Sequence, residues 1–182
     1  SCGSFRRAGA AGLMPVSARY TGGSRAPRGE RMRTIERLFD LQQMIGQELG
    51  TSDWVAITQE RIDQFAQATG DLQWIHIDPV RAAQGPFGTT IAHGFLTLSL
   101  LPMLLHSAVN LADVKMGVNY GLNRVRFPSP VPVGSRVRGR IRLLSAERIA
   151  DNGLQVIMEV TVEREGSDKP VCIAESVSRR YT

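Results

Sequence analysis

Residues 91–109, IAHGFLTLSLLPMLLHSAV, constrain this chain more than any other stretch. They are apolar on nearly every side, which calls for a helix wrapped by protein. The run is polar at both ends and falls short of the ~20 apolar residues of a membrane span. Pro102 removes one amide from its middle, so the helix should kink or divide there.

The pattern changes after residue 116. In 117–127, in SRVRGRIRLLSAERI and in GLQVIMEVTVERE, apolar residues recur at every second position. Val137, Ile141 and Leu143 then share one strand face, and Leu154, Val156, Met158, Val160 and Val162 share another. PVCIAESVSRRY closes the chain as a strand, with turns at Asp151-Asn152-Gly153 and Gly166-Ser167-Asp168. Upstream, the spacing predicts a short amphipathic helix over 34–45, a strand over 53–58, and a helix over 59–69 capped by Thr58 and stopped by Gly70. Pro79 starts a further turn, and 84–90 reads as a loop. The sum is an α+β domain: an antiparallel sheet with one apolar face against a central helix.

Charge is unevenly placed. Six arginines and Glu30 lie within residues 1–31, and they account for the whole net charge of +5. The remaining residues hold equal numbers of basic and acidic side chains. The first 31 residues, rich in Gly, Ala, Ser and Arg, are expected to be a disordered leader ahead of a single domain at 32–182. Their Arg-rich, acid-poor composition leaves a mitochondrial transit segment open beside a cytoplasmic location. The neutral body argues against nucleic acid as partner. Arg136, Arg138, Arg140 and Arg142 are expected on a solvated strand face, balanced by Glu147, Glu159, Glu163 and Glu165. Cys2 and Cys172 form no metal spacing and no disulfide framework.

Among the chain's three histidines, His106 reads as a helix-end residue. His93 stands where the central helix starts, and a structural and a functional role are both open. The stretch ATGDLQWIHID (68–78) places Asp71 and His76 in one segment after a helix stop. They serve either as a hydrogen-bonded staple or as an acid–base pair sharing the proton work on one water.

The segment 68–105 resembles the hydratase-2 signature of the MaoC-like dehydratases, including its NodN-like branch. The resemblance rests on Gly70-Asp71, His76, the acidic Asp78 and Ile91-Ala92-His93-Gly94, with a further element at RVRFPSPVPVGSRVRGR (124–140). It covers about 33–181. It implies a hot-dog fold, a curved antiparallel sheet around one long helix, and reversible hydration of a trans-2-enoyl thioester to the (R)-3-hydroxyacyl thioester. It implies Asp71 and His76 as the catalytic pair on a water, and the Gly94 N–H on the thioester carbonyl. Gln73, Phe87, Thr89, Ile91, His93 and Ser99 are implied as substrate contacts. Neither metal nor redox cofactor is implied; coenzyme A or acyl carrier protein arrives with the substrate, and the assembly is a homodimer. Gln73-Trp74 replaces the usual Asn-Pro, and Ser99 falls one turn early for a third catalytic group. Two rivals stand beside this reading: a thioesterase on the same fold, and a non-catalytic acyl-thioester-binding subunit.

Overall fold

A computed structural model describes residues 32–182. The expectation of a disordered leader at 1–31 therefore lies outside the described residues. Strands are β1 (Arg33–Ile35), β2 (Glu48–Thr51), β3 (Val55–Ala56), β4 (Val109–Leu111), β5 (Met116–Arg126), β6 (Arg136–Ile149), β7 (Gly153–Arg164) and β8 (Cys172–Tyr181). Helices are α1 (Gln59–Thr69), α2 (Trp74–Ile77), α3 (Pro79–Ala83), α4 (Gly94–Ser99) and α5 (Leu101–Ala108). The main sheet runs β2-β6-β7-β8-β5, with β3 also on β6, and all its pairings are antiparallel. β1 and β4 form a small parallel pair.

Alternation decides which face is core. Val137, Ile141, Leu143, Leu154, Val156, Val160 and Val162 are all fully buried, as the period of two requires. Gly139 lies among them on β6. A Cβ there would stand 3.3 Å from that of Leu104, so the absence of a side chain lets α5 lie close on the sheet. The opposite face of β6 carries the arginines. Arg136 pairs with Glu165, Arg138 with Glu163, and Arg140 with both Glu48 and Glu163. Glu163 and Glu165 play the expected balancing role and Glu48 joins them; Glu147 instead accepts from Ser145.

Three expectations need correction. Residues 34–45 are no amphipathic helix: β1 takes Arg33–Ile35, and a short 3₁₀ helix takes Leu38–Gln43. Pairing with β4 claims the first residues, and the Asp113 carboxylate accepts from the Leu38 amide at 2.9 Å, fixing where the helical turn begins. The strand expected over 53–58 shrinks to Val55–Ala56, and Glu48–Thr51 is the longer strand beside β6. The central helix is divided at Leu100, ahead of Pro102, but is not wrapped on all sides: Phe95 is 67% exposed and Met103 48%. Phe95 meets the ring of Phe127, just past β5, edge-on, whereas Met103 lies beside Trp54 and α1. β5 is an edge strand on which every residue but Val125 is exposed. No helix among the described residues is long and apolar enough to cross a membrane.

Leu104 is fully buried between α5 and β6. Truncation of such a leucine costs about 2–5 kcal/mol. Urea unfolding of Leu104→Ala should show a loss in that range, with an unchanged slope.

Candidate active site

The site is built where α1 stops and the central helix starts. Thr58 opens α1 by accepting from the Arg61 amide, and Gly70 closes it at φ 76°, a conformation open to glycine. Asp71 follows at once with an exposed side chain. His76 sits on α2, a single turn within the segment that begins at Asp71. That turn faces the segment leading into α4. The Ile91 amide donates to the Ile75 carbonyl at 3.0 Å, and His76 Nδ1 contacts the Ile91 carbonyl at 2.6 Å. A carbonyl only accepts, so Nδ1 carries the hydrogen and Nε2 keeps its lone pair.

His93 completes the cluster. Only 2% exposed, it stacks its ring on His76 with centroids 3.7 Å apart and planes 25° from parallel. The ring of Phe65, on α1, is tilted against it with centroids 5.1 Å apart. Its Nε2 lies 3.0 Å from the Asp71 carbonyl and 4.0 Å from Asp71 Oδ2. The carbonyl contact assigns the hydrogen to Nε2, and Nδ1 is then a buried acceptor with no partner among the described residues. One histidine thus fixes both the ring of His76 and the backbone of Asp71.

Asp71, His76 and His93 bring ligand atoms within 4.8 Å of one another, the proximity a metal site requires. The ring stack does not suit one. Lone pairs lie in the ring planes, and planes this nearly parallel do not converge within the ~2.0–2.1 Å reach of a metal–imidazole bond.

Gly94 is the first residue of α4, where helix amides have no carbonyl partner inside the helix. A Cβ on it would stand 2.9 Å from the Phe127 ring, so only glycine fits. The other expected contacts scatter. Ile91 serves through its carbonyl. Gln73 is exposed and makes no capping bond, Phe87 is 44% exposed on the loop, and Thr89 is half-buried. Ser99 donates to the Phe95 carbonyl at 2.7 Å and lines a groove of about 470 Å³ with Tyr120 and Leu122. Asp78 caps α3 by accepting from the Arg81 amide at 3.0 Å.

Sequence reasoning missed Gln59. Its amide donates to the His76 carbonyl at 2.7 Å and accepts from buried Thr90 at 2.6 Å, locking α2 to the 84–91 loop. A glutamine in a first helical turn gives no signal of such a role.

Comparison with known proteins identifies the family. Residues 40–166 fit the MaoC like domain. The chain belongs to the MaoC-like family. It is 57% identical over 148 residues to 3-hydroxyacyl-thioester dehydratase Z of Mycobacterium tuberculosis, covering 81% of this chain and 98% of that one. Nodulation protein N of Rhizobium leguminosarum is 50% identical, over 78% of this chain and 89% of its own. The solved (R)-hydratase from A. caviae aligns over 74% of this chain and 94% of its own, with a TM-score of 0.60 at 23% identity. The fold of this MaoC-like chain is the hot dog.

Burial holds the His76 pKa below the ordinary 6.5, and the facing His93 adds to the effect; the Ile91 hydrogen bond and Asp71 oppose it. The fold therefore binds this proton less readily than the unfolded chain does. Stability is full above pH 6.5 and falls as pH drops through 6.5 toward the lowered value. Urea titrations at pH 7.5 and 5.5 should show a loss in wild type that His76→Gln reduces.

Proposed function

We propose that the chain is a hydro-lyase acting on acyl thioesters, and that it adds water reversibly to trans-2-enoyl thioesters to give (R)-3-hydroxyacyl thioesters. The observation carrying this reading is the free lone pair of His76 Nε2, left by the Nδ1–Ile91 bond, within a cluster shared with Asp71. In the hydration direction His76 Nε2 takes a proton from water as its oxygen bonds to C3. Electrons move to the thioester oxygen, which the Gly94 amide stabilises. The proton taken from water is passed by way of Asp71 to C2, and both groups end as they began. The mycobacterial relative is named as a 3-hydroxyacyl-thioester dehydratase; dehydration of such a thioester is this reaction reversed, and it supports the reading.

The same reading includes pairing of two copies through β5. Met116, Val118, Tyr120 and Leu122 are exposed along this edge, next to exposed Phe95 and Phe127. An open strand edge and contiguous apolar surface are both liabilities unless covered. Light scattering at micromolar concentration should give a dimer or higher even assembly, and Val118→Lys should shift it toward monomer.

The chemistry is tested with crotonyl-CoA: loss of the enoyl absorbance with an (R)-3-hydroxy product and no free thiol. Release of thiol would make the chain a thioesterase. Asp71→Asn and His76→Gln should each lower turnover by ~10²–10⁴-fold, the usual contribution of a positioned acid or base. The double variant should be barely worse, because both groups serve one water. The acidic limb of kcat/KM should lie below pH 6.5, since His76 must be neutral to act and burial lowers its pKa. Near-full hydratase activity in either single variant would return the pair to a structural staple.

A further inference from the structure

A cavity of about 300 Å³ lies at the end of the helix pair farthest from Asp71, between α5, β4, β5 and β8. His106, Asn110, Lys115 and Arg180 form its polar wall, and neither Asp nor Glu among the described residues lines it. Arg180 is the unusual member. Its guanidinium fills the space a Cβ on Gly117 would need, so the glycine admits it beneath the sheet edge. Nε donates to Ser178 Oγ at 3.3 Å, but no carboxylate among the described residues lies within ion-pair distance. Burial strips water from the cation and lowers its pKa. A desolvated cation without a counter-ion is costly, and an anion entering the cavity removes that cost.

The position of the cavity says whose anion it is. From Gly94 to Ala108 the helix pair rises ~20 Å at 1.5 Å per residue, so the cavity stands away from its own chain's Asp71 and His76. Antiparallel pairing of β5 with a second β5 sets the Met116–Gly117 end of one copy opposite the Arg126 end of the other. Phe127, the next residue, covers Gly94. Both the cavity and Phe127 lie on the helix side of the sheet. Each cavity then adjoins the helix start of the neighbouring copy.

We propose that Lys115 and Arg180 form a phosphate subsite that holds the phosphorylated end of a thioester carrier bound at the neighbouring copy's Asp71–His76 site. This rests on the hydratase reading and on the β5 pairing. Coenzyme A and acyl carrier protein share the chemistry required, a phosphate on a pantetheine arm.

The test uses the full chain and three substrates: crotonyl-CoA, crotonyl-4′-phosphopantetheine and crotonyl-pantetheine, the last without phosphate. Lys115→Ala, at an exposed position, should raise KM for crotonyl-CoA about tenfold, the weight of one charge-assisted contact. KM for crotonyl-pantetheine should change less than twofold. A matching rise with the phosphopantetheine substrate assigns the phosphate shared by both carriers; a rise with crotonyl-CoA alone assigns its nucleotide phosphates. Arg180→Gln should act in the same direction. In mixed assemblies of Asp71→Asn and Lys115→Ala copies, the sites that keep both residues should recover the wild-type KM; a KM that stays raised throughout overturns the placement across copies. Equal KM changes with all three substrates, or none, overturn the subsite. If wild type hydrates none of them, the hydratase reading falls, and calorimetry with inorganic pyrophosphate decides the subsite alone: binding weakened by Lys115→Ala supports it, equal binding overturns it.

Discussion

The hydrogen bond from His76 Nδ1 to the Ile91 carbonyl is the constraint on which the site depends. It joins a single helical turn, too short to persist alone, to the segment that leads into the core. Through Ile91 the ring is referred to Pro132, the residue bridged to it, and to the buried start of the central helix. The same bond selects the tautomer that leaves Nε2 basic. Position and tautomer therefore come from one contact, and Gln59 and His93 brace it.

Elements whose identity follows from period and punctuation were legible in the sequence. α1 runs from Thr58 to Gly70 because the cap and the stop are both local signals. β6 and β7 follow from strict alternation, and the division near Pro102 from the chemistry of proline. The misread segments are those whose conformation a distant partner decides. Residues 33–35 have helical spacing but pair with β4, and Glu48–Thr51 becomes a strand only because β6 offers it an edge. Phe95 and Met103 look like core in the sequence, but nothing among the described residues covers them.

At the site, the residue types were legible and their geometry was not. Asp71 and His76 stand close in sequence, and His93 stands at a helix start, but no spacing rule brings the second ring onto the first. That contact needs α2 and the α4 entrance side by side, a tertiary fact. Ser99 shows the converse: a plausible hydroxyl that its own helix has already engaged.

The turn between β6 and β7 carries a consequence for how such a chain reaches its native state. Asp151 and Asn152 both adopt positive φ, 59° and 52°, the handedness that matches the twist of a tight hairpin. The two longest strands thus pair across a minimal connection, from Ile149–Gly153 to Val137–Arg164. The entropy lost in closing so short a loop is the smallest in the sheet. β2 and β5 must each be recruited over much longer stretches of chain. Assembly order is written into the topology: a local ribbon forms cheaply, and the exposed edge strand β5 joins through a distant pairing.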